Sequence, residues 1–522
     1  MKIGSDIIKV YKDVHIWVGI VCGLMLFIAF YAGAITMFEK PLERWATPPS
    51  HLAPAPPLED AEDLLAAVRD KHPQAAQRYA IVIEPSPDQP ARLIWSERGD
   101  DPRESIEYGA SFAPDGSLQT ERLRKATVAG LVDRMHQYVG LPLPDVAAQL
   151  LMGLVALAYA VALLSGLIVL LPTIIKDVFA LRIGRNLKRM WLDAHNALGI
   201  FSLPFHLVIA LTSVVFAFHT PFYAAQEHAL YGGEIDWGEH EAAPRGTTPL
   251  PAAELLRRAN VQLPGFEVYG FVFQTEKDGN VEAFIMGLDT RHGTRGRTWM
   301  RTHLDPFTGE VDLHDLPGHM DDGWNEAVNA FFALHFGSFG GNPVRWLYVL
   351  MGLAGAALFY TGNVLWIESR RKKQRDAGLP VQKRSTRVLG ALTVGVSLGS
   401  VAGISATIAA TKWLPAHVGD ADLWHEAIYY AVFVAGIAWA FARGAAHGAI
   451  DLLRLCAVLT LAIPLSSLAG LWRIGGAWSH PGSWPVDVTA LVAVPVLLWL
   501  AAHTRRRALA GQRDSVWSAA RA

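Results

Sequence analysis

From Leu192 to Phe218 the chain reads LDAHNALGIFSLPFHLVIALTSVVFAF, 27 residues with a single charge at Asp193. At about 1.5 Å per residue, such a run spans the roughly 30 Å hydrocarbon core of a bilayer. Backbone N–H and C=O groups find no water there, so the run has to be helical. It carries two histidines, His195 and His206. Read as one straight helix, their spacing turns both rings to one face, roughly 16 Å apart along the axis. An ionisable ring inside a membrane is costly without a partner. In a helix bundle that partner is another helix or a metal-bearing cofactor.

Runs of the same kind recur along the chain. The expected spans are His15–Phe38, Val146–Leu171, Leu192–Phe218 and Pro343–Ile367, followed by Val388–Trp413, Trp424–Phe441, Leu452–Leu471 and Val486–His503. With 51% hydrophobic and 18% charged residues, the 522-residue chain reads as an α-helical polytopic membrane protein of about eight spans. A net charge of −2 gives no reason to expect nucleic acid as a partner. The lipid bilayer is the expected surrounding. Ala32-Gly33-Ala34 looks like a cleavage site, but the run before it is near a full span, so the first helix is read as uncleaved. Cys22 and Cys456 form no CxxC or CxxCH, so any haem would be held by coordination alone. No GxGxxG opens a βα unit and no GxxxxGK[ST] occurs, which argues against nucleotide-binding domains.

Cationic residues sort the loops. They collect at Lys2, Lys9 and Lys12, at Lys176, Arg182, Arg185, Lys188 and Arg189, at Arg370–Arg375, in the 442–454 loop, and at Arg505, Arg506 and Arg507. The positive-inside rule then puts both termini in the cytoplasm. Residues 39–145 and 219–342 fall outside, in the periplasm if this is the inner membrane of a Gram-negative bacterium. The first of these regions is expected to hold a helix (Leu58–Lys71) and strands at Arg78–Ile83, Arg92–Ser96 and Ser105–Ala113, closed by Pro114-Asp115-Gly116. The second repeats the plan: a helix at Pro251–Asn260, then strands at Phe266–Gln274, Val281–Gly287 and Trp299–Leu304, with turns at Lys277–Asn280 and Asp305–Gly309. Two small α+β domains are expected, at 39–145 and 219–342. They separate membrane segments 1–38, 146–171, 192–218 and 343–367, and a four-helix extension follows at 388–503.

The first half is an internal repeat. His15-Ile-Trp-Val-Gly19-Ile20 matches His195-Asn-Ala-Leu-Gly199-Ile200. His136 precedes Met152-Gly153-Leu154 by the interval that separates His335 from Met351-Gly352-Leu353. Ser165-Gly166 and Thr361-Gly362 then punctuate both units at nearly one depth. Both units enter the membrane in the same direction, as a parallel repeat about an axis along the membrane normal. His15 and His195 become equivalent at the cytoplasmic face, and His136 and His335 at the external face. Two histidines facing each other at one depth are the ligand set of a six-coordinate b-type haem. Two such pairs would form an electron path across the bilayer. His206 has no counterpart (its equivalent is Leu26) and is placed to ligate or to bridge.

Plainer readings stand beside these. Each histidine also fits as a hydrogen-bonded packing residue, and His136 and His335 as interfacial ones. Arg134 and Arg345 lie near the external level, where they are placed to pair with haem propionates or to snorkel. His314 and His319, with Asp315, Asp321 and Asp322, form either a metal-binding loop or a merely polar one. A carrier rocking about His206 is a further reading. It is weakened by the lack of a broken helix pair beyond Pro204 and of a charge at mid-membrane.

At these residues the chain resembles the PepSY-associated transmembrane family. The carrying motifs are His15-x3-Gly19, Asp193-Ala-His195-Asn-Ala-Leu-Gly199, and Leu334-His335-Phe-Gly337 leading to Thr361-Gly362 and Trp366. The external regions resemble PepSY modules, the second closing on Asp305-Pro306-x-Thr308-Gly309-Glu310 and the first in degenerate form. The resemblance covers about residues 10–370. It implies bound haem b, two groups if both histidine pairs are filled, and electron delivery to a ferric chelate in the periplasm, as in ferric-siderophore reductases. The partners implied are a ferric siderophore and a separate electron donor, either cytoplasmic or a quinol. The other class is a non-enzymatic PepSY protein that binds a peptide or a protease.

Overall fold

The computed structural model describes the chain except residues 1–3, 87–89, 99–104, 124–125, 175–186, 232–247, 276–278, 290, 292–299, 314–315, 317–322, 380–381, 415–416, 419–420, 480–481, 512–514 and 520–522. His314, His319 and their aspartates, Lys176, Arg182, Arg185, Lys277 and Asp278 of the Lys277–Asn280 turn, and Trp299 lie outside the described residues. In chain order the elements are α1 (Ser5–Thr36), α2 (Glu39–Ala46), α3 (Ala61–Lys71), β1 (Arg78–Val82), β2 (Leu93–Arg98), β3 (Ser105–Phe112), β4 (Leu118–Arg122), α4 (Val128–Tyr138) and α5 (Asp145–Leu170). There follow α6 (Leu187–Phe201), α7 (Leu203–Tyr231), α8 (Ala252–Gln262), β5 (Glu267–Thr275), β6 (Val281–Leu288), β7 (Met300–Leu304), α9 (Gly323–Phe336), α10 (Gly341–Asp376), α11 (Arg384–Ala410), α12 (Ala421–Leu471) and α13 (Trp484–Leu509). They form two compact units. One is Met1–Pro48, Ala126–Pro221 and Arg345–Ala522; the other is Pro49–Lys125 and Phe222–Val344.

The first unit is helical. Among the described residues, six helices are long and apolar enough to cross a membrane: α1, α5, α10, α11, α12 and α13. The pair α6 and α7 makes a seventh if counted as one span. α12 has 51 residues, roughly 75 Å if straight, more than two bilayer cores. It is not straight. Gly444 takes φ 72° and ψ 163°, a conformation essentially confined to glycine, and the chain turns back there. Ala440 and Gly448 lie side by side across the turn, with 3.0 Å between the Ala440 Cα and a Cβ placed on Gly448. Trp439 Nε1 donates to Asp451 Oδ2 at 3.2 Å across the same turn. Trp424–Phe441 and Leu452–Leu471 are therefore the two arms of a helical hairpin. α11 packs against the first arm through Gly395, Gly399 and Gly403, which approach Ile437, Phe433 and Tyr429. A glycine every fourth residue lets the backbones close in where apolar burial gives no drive.

The expected straight helix at Leu192–Phe218 is broken. α6 and α7 meet at 69°. The Ser202 hydroxyl bonds the Leu198 carbonyl at 2.5 Å, and Pro204, two residues on, brings no N–H to a helical ladder. A proline fits the first turn of a new helix but not the interior of a continuing one. The chain therefore ends one helix and starts another.

The second unit is built on one antiparallel sheet of order β4-β3-β2-β1-β5-β6-β7. The sequence suggests two separate α+β domains, but β1 pairs with β5 and joins them into one sheet. Tyr79 opposes Phe273 and Ile81 opposes Phe271 in that ladder. The rings of Tyr79 and Phe273 stack at 4.8 Å. Period-two alternation puts Tyr79, Ile81, Leu93, Trp95, Phe271, Phe273, Ile285 and Leu304 on one face, where Leu64, Val68 and Leu255 of α3 and α8 complete the core. Each half alone would leave an edge at the seam, and pairing removes it. The turn at Asp305–Gly309 is as read: Asp305 Oδ1 accepts from the Phe307 and Thr308 N–H groups at 2.7 and 3.0 Å.

Candidate functional site

His15 on α1 and His195 on α6 face each other, ring centres 6.1 Å apart and planes at 72°. The repeat pairs these two residues, and the structure brings them together. His15 Nδ1 donates to the Ala162 carbonyl of α5 at 2.8 Å. A carbonyl only accepts, so this ring carries its proton on Nδ1. His195 Nδ1 meets Thr361 Oγ1 of α10 at 3.0 Å. Thr361 gives its own hydrogen to the Leu358 carbonyl at 2.9 Å, so its oxygen accepts from His195. Both rings keep Nε2 without a hydrogen-bond partner among the described residues. A glycine lies against each ring. A Cβ on Gly166 would stand 2.8 Å from His15 Nδ1 and Cε1, and one on Gly362 would stand 3.6 Å from His195 Cε1.

This donor set fits an axially ligated haem. Metal-binding imidazoles hold their second N–H on an acceptor, which fixes tautomer and orientation. Two imidazoles bound to opposite sides of one metal at about 2 Å each bring their ring centres about 6 Å apart. No cluster of three or more His, Cys, Asp or Glu suited to a bare metal ion occurs among the described residues. Two opposed imidazoles suit a metal whose other ligands come from a macrocycle.

His206 lies elsewhere. The break at Ser202 removes the shared helix face expected for His195 and His206. His206 is fully buried, and its Nδ1 meets the Tyr159 hydroxyl of α5 at 2.6 Å. Its Nε2 is buried without a hydrogen-bond partner among the described residues. Phe30 packs on it at 5.5 Å and Phe205 at 5.6 Å. Phe30 also meets Phe359 at 5.2 Å and Tyr159 at 5.7 Å. A Cβ on Gly355 would fall 3.0 Å from His206 Cε1, so glycine makes room here too.

His136 and His335 sit on short helices, α4 and α9, that precede their spans; the expected elements did not include these helices. α4 ends where Val139 and Gly140 take positive φ, 50° and 68°. His136 Nδ1 donates to the Ala29 carbonyl at 2.8 Å, and a Cβ on Gly33 would reach within 2.6 Å of that nitrogen. The device seen at His15 thus recurs: a carbonyl fixes Nδ1 and a glycine clears the ring. Burial raises the pKa of the Asp133 carboxyl one turn away, against the opposing pull of His136. His335 belongs to the second unit, beside Phe336 at 5.5 Å. Arg134 is ion-paired with Glu426 of α12 at 2.6 Å, so its guanidinium already has a carboxylate partner. Arg345 is partly buried in the first turn of α10.

Sequence reasoning missed Thr361, Ala162 and Tyr159 as partners of the histidines. The signal existed for Thr361, whose Thr-Gly step repeats Ser165-Gly166. The sequence did not show that it touches His195.

A profile of the PepSY-associated TM region matches residues 13–369. That match takes in more than half of the chain and every histidine discussed above. The chain belongs to the PepSY-associated TM family. It is a multi-pass membrane protein. The family region ends before α11, so α11 to α13 lie outside it. No curated protein sequence matches the chain at a significant level.

Proposed function

We propose that this member of the PepSY-associated TM family is a haem b protein of the bacterial inner membrane. It passes single electrons across the bilayer and reduces a ferric siderophore, Fe(III) to Fe(II), in the periplasm. The observation that carries this reading is the facing pair His15 and His195, with Nδ1 engaged on both rings and Nε2 open on both. Haem, when bound, supplies a one-electron carrier. His15 and His195 would hold one group through Nε2. The repeat assigns a second to His136 and His335. The Ala162 carbonyl and Thr361 hydroxyl hold the imidazole protons on Nδ1 and fix the rings. Tyr159, His206, Phe30, Phe205 and Phe359 fill the bundle with packed rings and exclude water from it.

The topology belongs to the same proposal. Eight passages are made by α1, α5, the bent α6–α7, α10, α11, the two arms of α12, and α13. Both termini then lie in the cytoplasm, where the cationic loops place them. The external unit, with its two PepSY-like halves, receives the chelate. Each iron takes one electron from a separate donor, a cytoplasmic protein or a quinol. Fe(II) carries less charge and binds hard oxygen ligands less strongly, so the chelate loosens. The carrier reading gains a broken helix pair at Ser202, but the sequence has no Asp, Glu, Lys or Arg from Ala194 to Gln226 to recognise a charged cargo.

The test is a pyridine haemochrome assay with a reduced-minus-oxidised spectrum on purified protein, beside His195→Ala and His335→Ala. About two b haems per chain are expected, each substitution removing part of the signal. A wild-type protein without haem, after expression with ample haem supply, overturns the reductase reading and favours a peptide-binding role for the external sheet.

A further inference from the structure

We propose that the Ser/Thr-Gly step repeated in α5 and α10 sets how strongly His15 and His195 donate to a bound metal, and that Thr361 is its tunable member. This rests on the haem reading above and adds a positioning role to it. In both halves the hydroxyl turns back on the carbonyl three residues earlier. Ser165 Oγ donates to Ala162 at 3.0 Å and Thr361 Oγ1 to Leu358 at 2.9 Å. In both halves the following glycine lies against the ring, tightly at Gly166 and at ordinary contact distance at Gly362. Both hydroxyl residues are buried.

The two halves then differ in one atom. His15 bonds the carbonyl itself, sharing it with Ser165. No substitution at Ser165 removes that acceptor. His195 bonds the hydroxyl at 3.0 Å, so a side-chain oxygen accepts at Nδ1, beside a backbone contact of the ring to Leu358. A hydroxyl that donates onward is polarised and accepts more strongly. An acceptor on Nδ1–H raises the donor strength of Nε2, and a stronger donor favours ferric over ferrous iron. Thr361 thus holds the His195 side of the site at a lower reduction potential than an apolar neighbour would.

The experiment is a redox titration of the full-length haem-loaded protein for wild type, Thr361→Val, Thr361→Ser and Ser165→Ala. The wave lost in His195→Ala identifies the site. Thr361→Val is expected to raise the reduced-to-oxidised ratio of that wave at fixed potential about tenfold, or about 59 mV for one electron. Thr361→Ser should restore the wild-type value, and Ser165→Ala should leave it in place. Loss of this haem in Thr361→Val with retention in Thr361→Ser also supports the proposal. Retained haem with an unmoved wave in Thr361→Val overturns it and leaves the haem reading standing, as does loss in both Thr361 variants. A wild type without haem overturns the reading beneath it.

Discussion

Gly166 and Gly362 show how much of the site depends on a missing side chain. At Gly166 a methyl group would stand 2.8 Å from the His15 ring, well inside van der Waals contact of about 3.5 Å. The ring would have to leave the Ala162 carbonyl. Gly166→Ala is therefore expected to remove the same share of the b-type signal as His195→Ala, while the remaining haem keeps its spectrum; difference spectra of the purified variants check this. At Gly362 the same atom would sit 3.6 Å away, an ordinary contact, so Gly362→Ala should be tolerated. The contrast separates crowding of a ligand from general disturbance of the bundle.

Among the elements, the 51-residue α12 is the one whose direction depends on a single backbone position. Gly444 adopts φ 72° and ψ 163°, and a β-branched side chain there costs roughly 1–3 kcal/mol of strain. Gly444→Val should lower the thermal midpoint in detergent, followed by tryptophan fluorescence, and leave haem content unchanged because the turn lies outside the family region. The break between α6 and α7 follows a different rule. Ser202 and Pro204 are both visible in the sequence, yet a proline about three turns into an apolar run is also compatible with a kinked continuous span. Beyond the break, Phe205 and His206 pack on Tyr348, Tyr159 and Phe30, with α7 at 69° to α6.

In the helical unit as a whole, α11 to α13 follow the family region. Polar contacts lock one end of this extension to the rest of the unit. Lys412 is fully buried. Its Nζ donates to Ser467 Oγ at 2.8 Å and lies 4.1 Å over the Trp45 ring of α2. Ser467 and Trp45 Nε1 both donate to Asp487 Oδ1, at 2.8 and 3.0 Å. Thr127 bonds His425 at 3.0 Å, and Tyr430 donates to the Gly140 carbonyl at 2.8 Å. A buried cation loses heavily when its counter-charge is removed. Asp487→Ala should thus destabilise the protein by about 3 kcal/mol, read from thermal unfolding. Asp487→Ala combined with Lys412→Met should recover much of that loss. A double variant no better than Asp487→Ala would show that the pair is not what holds the extension in place.

The sequence by itself determined the membrane class, the positions of most apolar helices, the helix-and-strand plan of the two regions between them, the turn at Asp305–Gly309 and the pairing of His15 with His195. These follow from local composition, from period-two and helical patterning, and from a repeat that maps one residue onto another. Tertiary structure alone decided the rest. Two α+β halves merged into one sheet because β1 and β5 each had an edge to satisfy. A run that reads as one straight span became two helices at 69°, and its aromatic and histidine side chains met partners on other elements. Arg134 went to Glu426, a residue nearly three hundred positions away. Thr361 and Ala162 became partners of the histidines only when α10 and α5 packed beside α6 and α1. A hydrogen bond between distant segments has no local signature, so the acceptors that orient the imidazoles stay hidden until the helices are placed.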